Sequence, residues 1–233
     1  MAERRFYMAC LDLRGRSCLV VGGGPIALEK AEGLLDCGAR VTVVAREISL
    51  AVRALPVNLV EREYESGDLD SQFLVIAATD DNWVNRRVSA DAEARSMLCN
   101  VADVPDLCNF ILPAVYRQDP IAIAVSTGGA SPALAQRIRE EISEVVGPEH
   151  ARLARQLREL RPWAKDWFKT YEERRDFFQK VVEEAKLSGV GSTEPPNSAG
   201  AGSAGAGADG GVGWTEPPSS GGGGFAGAGA EDE

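Results

Sequence analysis

The feature that most constrains this chain is a glycine-rich turn set between an apolar run and a helical segment. Cys18–Val21 has the pattern of a buried strand, Gly22-Gly23-Gly24-Pro25-Ile26-Ala27 follows it directly, and Pro25–Cys37 has the pattern of a helix. The spacing is G-x-G-x-x-A, which is typical of the turn that binds a dinucleotide. In that interpretation Gly22 permits the tight turn, Gly24 lets a pyrophosphate approach the backbone, and Ala27 lets the helix pack close to the strand. The competing interpretation is a glycine-rich turn that holds no ligand.

Short β-branched runs alternate with helical stretches from Ser17 to Ala102, which is the pattern of a parallel sheet covered by helices. Right-handed crossovers then predict a doubly wound, Rossmann-like α/β sheet. The predicted strands are Cys18–Val21, Arg40–Ala45, Leu59–Tyr64, Phe73–Thr79 and Met97–Ala102, and the predicted helices are Pro25–Cys37 and about Asn82–Arg95.

The pattern changes after Pro113. Two strands, Ala114–Arg117 and Ile121–Ser126, flank an Asp119-Pro120 turn, and Ser131-Pro132 opens a helix in which serine suits the N-cap. Beyond Gly147 the chain is again helical, and its aromatic residues stand at helical spacing, which favours packing against one another over a cofactor site. We therefore expect a Rossmann domain over 1–113, a small α+β segment over 114–146, a helical domain over 147–188 and a disordered Gly/Ala/Ser/Pro-rich tail over 189–233.

Residues that follow two further strands are candidates for contacts with a dinucleotide. The second predicted strand ends at Ala45 and is followed by Arg46 and Glu47. An acidic residue here holds the ribose of NAD, whereas an arginine faces the 2′-phosphate of NADP, so the residues leave both cofactors open. Thr79 ends the next central strand at the same edge of the sheet. The nearby Asp80 and Asp81 have a simpler interpretation, because either can cap the following helix.

One carboxylate lies where a catalytic base is expected. Asp103 follows a predicted strand at the carboxyl edge of the sheet, where ligands bind in open α/β folds. By position alone an aspartate before Val-Pro is more often a turn residue. A second glycine-rich loop, Ser126-Thr127-Gly128-Gly129, opens a helix and is either a seat for a substrate carboxylate or a plain strand-to-helix turn.

Composition excludes several classes of protein. The net charge is −10, from 25 basic and 35 acidic residues, and six of the acids but no base lie in the last 46 residues. A nucleic-acid binder would show a basic excess, so we expect no nucleic-acid partner. No apolar run is long enough for a membrane span or a signal peptide, which predicts a cytoplasmic protein with no membrane contact. Five cysteines without a C-x-x-C pair, and a single histidine, predict no bound metal.

Several motifs in register resemble the family of precorrin-2 dehydrogenase and sirohydrochlorin ferrochelatase, which forms the N-terminal module of siroheme synthase. The resemblance covers about Phe6 to Glu184, and we expect no uroporphyrinogen methyltransferase module. It is carried by Gly22-Gly23-Gly24-x-x-Ala27-x-x-Lys30, Ala77-Ala78-Thr79-Asp80-Asp81, Val84-Asn85, Cys99-Asn100-Val101-x-Asp103, Phe110-Ile111-x-Pro113, Ala124-Val125-Ser126-Thr127-Gly128-Gly129-x-Ser131-Pro132 and Glu172-x-Arg174-Arg175-x-Phe177.

The resemblance implies NAD-dependent oxidation of precorrin-2 to sirohydrochlorin, with Fe²⁺ insertion to give siroheme in some members. It also implies a homodimer formed through residues 114–146. Asp103 would be the catalytic carboxylate, Gly22, Gly24, Pro25, Ile26, Ala27, Arg46, Glu47 and Thr79 would bind the cofactor, and Asn100, Ser126, Thr127 and Gly128 would contact substrate. The alternatives are a module that senses NAD without catalysis and a chelatase that acts mainly on sirohydrochlorin.

Overall fold

The computed structural model describes residues 6–185, so the predicted tail over 189–233 lies outside the described residues. The chain divides into two compact units, one ending at Val145 and the other beginning at Val146. No helix in the described part of the chain is both long and apolar enough to cross a membrane.

A five-stranded parallel sheet forms the centre of the first unit, as predicted. Its strand order is β3-β2-β1-β4-β5, so the chain starts in the middle and winds outward in both directions. The strands are β1 (Ser17–Val21), β2 (Arg40–Ala45), β3 (Asn58–Glu61), β4 (Leu74–Ala77) and β5 (Leu98–Val101), and the helices are α1 (Pro25–Asp36), α2 (Leu50–Arg53) and α3 (Asn82–Glu93).

Both faces of the sheet are buried, which is why its strands are nearly continuous apolar runs. Alternate residues of β1 point to opposite sides, with Val20 in one core layer and Leu19 in the other. Helix α1 covers the first layer with Ala27, Ala31 and Leu34, and α3 covers the second with Val88 and Ala92. Because each fully buried valine or leucine stabilises the fold by about 1.5–3 kcal/mol, these two layers fix the positions of the strand ends.

Strands β3 and β4 end two or more residues earlier than predicted, because the strands beside them end. Strand β3 stops at Glu61, which pairs with Ala45, the last residue of β2. The predicted continuation turns inward, so that the buried Tyr64 hydroxyl donates to Asp91 Oδ2 at 3.0 Å. Strand β4 ends at Ala77, and the chain leaves the sheet before Thr79.

The segment after Pro113 forms a hairpin covered by a helix, as predicted. Strands β6 (Ala114–Gln118) and β7 (Ile121–Val125) are antiparallel, and α4 (Pro132–Val145) packs on them. The Ser131 hydroxyl accepts a hydrogen bond from the Leu134 amide at 3.2 Å, which caps α4.

The described part of the second unit, up to residue 185, contains two helices, α5 (Pro148–Trp167) and α6 (Tyr171–Glu184). They are separated because Thr170 and Glu173 form a capping box that starts a new helix. The ring centroids of Trp163, Phe168 and Phe177 lie within 6.0 Å of one another, which confirms that these aromatic residues pack together.

Candidate cofactor and catalytic site

Hydrogen bonds just beyond the strands bring four loops to one edge of the sheet. The Gly22 amide donates to the Val44 carbonyl at 2.9 Å, and the Ala78 amide donates to the Val21 carbonyl at 2.7 Å. The Ala102 amide donates to the Ala77 carbonyl at 2.9 Å. The loops after β1, β2, β4 and β5 therefore begin side by side at the carboxyl edge, where open α/β sheets bind ligands.

The first two glycines of the turn are required by close backbone packing. Gly22 has a φ of 130°, and a Cβ there would overlap the carbonyl of Ala78. A Cβ on Gly23 would overlap the carbonyl of Glu47, and the Ser49 amide donates to the Gly23 carbonyl at 3.0 Å. These contacts hold the β1–α1 turn against the loops that follow β2 and β4.

Gly24 differs because the space beside it is open. No atom lies within 4 Å of a Cβ built on it, and its φ of −92° is accessible to any residue. It is the N-cap of α1, and no side chain caps the helix. Pro25 and Ile26 are exposed beside this end, whereas Ala27 is fully buried against the sheet.

This arrangement fits a dinucleotide. The uncapped amides of a helix N-terminus bind phosphate, and the positive end of the helix dipole favours its charge. The side chain that Gly24 lacks leaves room for a pyrophosphate at the backbone.

The residues after β2 lie at the same edge. Arg46 is exposed, and its Nε lies 3.4 Å from Glu63 Oε1. The Glu47 side chain is exposed, while its carbonyl contacts Gly23. An arginine and an acid are thus both available at the place where a dinucleotide's ribose is recognised, so the choice between NAD and NADP stays open.

Thr79 lies at the edge but its polar atoms are engaged locally. Its hydroxyl donates to Asn85 Oδ1 at 2.8 Å, and Asn85 Nδ2 donates to the Thr79 carbonyl at 2.9 Å. Asp81 Oδ1 accepts from the Trp83 amide at 2.8 Å, so Asp81 caps α3, as its simpler interpretation predicted. The role of Asn85 was not predicted; its signal was an asparagine among apolar helical positions, and it is buried.

Asp103 is the third residue of a turn that follows β5. The Val104 amide donates to the Val101 carbonyl at 3.2 Å, which closes the turn, and Asp103 has a φ of 60°. This left-handed conformation favours glycine and asparagine, and aspartate tolerates it better than most residues. The Asp103 side chain is exposed at the same edge of the sheet as the Gly22–Gly24 turn.

The predicted substrate contacts occupy two places. Asn100 is buried in β5, and its Nδ2 donates to the Phe110 carbonyl at 3.1 Å. Ser126, Thr127 and Gly128 lie in the loop between β7 and α4. There the Thr127 hydroxyl accepts from the Ser131 amide at 3.0 Å, and Gly128 has a φ of 64°. The structure therefore gives Asn100 and Thr127 local hydrogen-bond partners.

Comparison with known proteins agrees with this fold. Residues 9–114 match a family described as "Putative NAD(P)-binding", and residues 118–144 match one described as "Sirohaem biosynthesis protein central". Siroheme synthase of Salmonella typhi is 42% identical over 181 residues, which is 76% of this chain and 40% of that protein. Siroheme synthase of Escherichia coli (strain SE11) is 41% identical over the same share of each protein. The chain thus spans 40% of the length of these relatives.

A solved structure matches over more of its length. SirC, a precorrin-2 dehydrogenase, is 30% identical with a TM-score of 0.67, over 77% of this chain and 90% of its own. The fold, the glycine-rich turn and the family match over residues 9–114 define a Rossmann protein of the NAD(P)-binding class. Within that class, the chain belongs to the family of precorrin-2 dehydrogenases and siroheme synthase N-terminal modules.

Proposed function

We propose that this chain catalyses the NAD⁺-dependent oxidation of precorrin-2 to sirohydrochlorin in siroheme biosynthesis. The observation that carries the proposal is the placement of the exposed Asp103 carboxylate at the same sheet edge as the Gly22–Gly24 turn. The similarity to SirC supports the choice of substrate.

Each part of the edge has a role in the proposed reaction. The start of α1 and the open space at Gly24 hold the pyrophosphate, while Arg46 and Glu47 face the adenosine ribose. Bound NAD⁺ supplies the hydride acceptor. The Asp103 carboxylate accepts the proton that the macrocycle loses, which requires an ionised side chain open to substrate.

We also propose that the active form is a homodimer built through the hairpin and α4. The outward face of the hairpin carries Val115 paired with Ala124, and Ala122 paired with Arg117, all exposed, so three of these four side chains are apolar. Leu134 on α4 is 49% exposed. An apolar surface of this kind is typical of a subunit interface.

The test is anaerobic conversion of precorrin-2 by the full chain with NAD⁺, followed by the absorbance of sirohydrochlorin. We expect Asp103→Asn to lower kcat at least about 100-fold, because general-base catalysis contributes factors of about 10²–10⁴. NAD⁺ affinity, measured by calorimetry, should be unchanged because Asp103 lies outside the pyrophosphate turn.

Failure of the folded, NAD⁺-binding wild-type protein to make sirohydrochlorin would overturn the proposal in favour of a sensing module. Adding Fe²⁺ and sirohydrochlorin in a separate reaction tests the chelatase half of the family's chemistry. There Asp103 would take up pyrrole N–H protons as Fe²⁺ enters as substrate. Siroheme formation without precorrin-2 oxidation would identify the chain as a chelatase.

A further inference from the structure

The thiol of Cys108 contacts both ends of the turn that carries Asp103. Cys108 is nearly buried, and its Sγ accepts a hydrogen bond from the Val101 amide at 3.1 Å. The same sulfur lies 3.3 Å from the Val101 carbonyl and 3.4 Å from the Val104 carbonyl, either of which can accept its proton. Val101 and Val104 are the first and last residues of the turn.

Two asparagines, Asn100 and Asn109, hold the segment that carries Cys108. Asn100 Nδ2 lies 3.6 Å from the sulfur and donates to the Phe110 carbonyl. Asn109 Oδ1 accepts from the Cys99 amide at 2.8 Å, and Asn109 Nδ2 donates to the Met97 carbonyl at 2.8 Å. The segment after the turn is therefore bound along the open edge of β5, with the thiol between that segment and the turn.

A turn with a left-handed aspartate needs such support. The left-handed region is less favourable for a residue with a Cβ than for glycine, and although aspartate tolerates it better than most residues, contacts across the turn favour this conformation of Asp103. The Val104–Val101 hydrogen bond and the Cys108 thiol both span the turn.

We propose that Cys108 is a positioning residue that holds the Asp103 carboxylate in place for proton transfer. This inference rests on the proposed function, because it assigns Asp103 as the base. It concerns the thiol as a hydrogen-bonding group and involves no redox chemistry.

Three single variants of the full chain separate this role from simple packing. Cys108→Ala removes every contact of the sulfur, whereas Cys108→Ser keeps a donor and an acceptor at the position. Cys99→Ala is the matched control, because Cys99 is a buried cysteine of the same core cluster. No side-chain hydrogen bond of Cys99 is found among residues 6–185. Urea unfolding of each variant confirms that it is folded at the assay temperature.

We expect Cys108→Ala to lower kcat between about 10- and 100-fold with the KM for NAD⁺ unchanged, because small displacements of a catalytic group cost factors of this size. Cys108→Ser and Cys99→Ala should stay within about threefold of wild type. In the Asp103→Asn background, Cys108→Ala should cause no further loss, since both changes act on one proton transfer. An equal fall in kcat for Cys99→Ala, or losses that add in the double variant, would overturn the proposal.

Amide hydrogen exchange tests the clamp, by which we mean the contacts of the Cys108 thiol with Val101 and Val104, and it needs no measurement of enzyme activity. We expect the Val104 amide to exchange at least about tenfold faster in Cys108→Ala than in Cys99→Ala, since the turn opens locally. The Val88 amide in α3 should exchange equally in both. If wild type does not oxidise precorrin-2 but Val104 exchange rises as expected, the proposed function fails and the clamp on the turn stands. Equal Val104 exchange in the two variants contradicts the clamp whatever the activity.

Discussion

Two adjacent glycines of the first turn, Gly23 and Gly24, differ in how much space surrounds them, and the difference predicts different effects of an alanine at each position. Gly23 packs against the Glu47 carbonyl, whereas a Cβ on Gly24 would meet nothing within 4 Å. We expect Gly24→Ala to fold with nearly wild-type stability and to weaken NAD⁺ binding at least about tenfold, because the methyl group occupies the space of the pyrophosphate. Calorimetric titration with NAD⁺ and urea unfolding measure the two quantities.

Gly23→Ala is the matched variant. We expect it to lower the free energy of unfolding by at least about 2 kcal/mol, since backbone must move to admit the methyl group. If Gly24→Ala bound NAD⁺ like wild type, the placement of the pyrophosphate at this turn would be wrong.

Some of these residue roles could be predicted from the sequence and others could not. The roles of Gly22 and Ala27 in the turn could be inferred because the motif fixes their place relative to one strand and one helix. The need for glycine at position 23 could not, since it arises from Glu47, which a different strand brings into contact. The same is true of Asn85 and Cys108, whose partners are set by packing.

At the scale of elements, the long apolar strands and amphipathic helices were predicted with ends within a few residues. The short α2 was missed, because four residues carry no detectable period. The break between α5 and α6 was missed as well, since a capping box without glycine or proline interrupts the pattern weakly. The carboxyl edge of the sheet could be predicted as the cofactor site because it follows from the strand order. The contacts of Cys108 with the Asp103 turn could not, because they depend on how side chains pack.

Buried cysteines in two strands make stability depend on alkaline pH. Burial raises the pKa of Cys18 in β1 from 9.0 to about 11 and that of Cys99 in β5 to about 12, with Cys37 and Cys108 adding smaller effects. The unfolded chain loses these protons near pH 9 while the folded chain retains them. Their contribution to stability is therefore complete below pH 9 and falls as the pH rises from 9 through about 11 for Cys18 and about 12 for Cys99.

We expect the urea midpoint of wild type, with reductant present, to fall more steeply between pH 8 and pH 10.5 than that of a Cys18→Ala, Cys99→Ala double variant. The double variant starts from a lower midpoint because it lacks two buried thiols. Comparing the slopes cancels the titration of lysines and tyrosines that both proteins share. Equal slopes for the two proteins would show that Cys18 and Cys99 do not cause the loss of stability at alkaline pH.

At the scale of the whole molecule, the two parts of the first unit differ in how completely they bury their apolar residues. The Rossmann sheet is covered on both faces, whereas the hairpin leaves Val115, Ala122 and Ala124 exposed and α4 buries only Ala135. A surface that stays apolar after folding is a site for a partner. In the proposed homodimer a second copy of the chain covers this surface, because a twofold axis places the same patch on both subunits.

We therefore expect the wild-type chain to elute with twice its mass of 24.8 kDa in light-scattering chromatography. Ala124→Glu should shift it toward the monomer, with an apparent Kd at least about 100-fold weaker, because a carboxylate in place of a methyl group loses its hydration on both subunits when the hairpin face is covered. Ala94→Glu, at the exposed end of α3, adds the same charge away from the hairpin and should leave the mass unchanged. A dimer that survives Ala124→Glu unchanged would place the subunit contact elsewhere and leave the apolar hairpin face to a different partner.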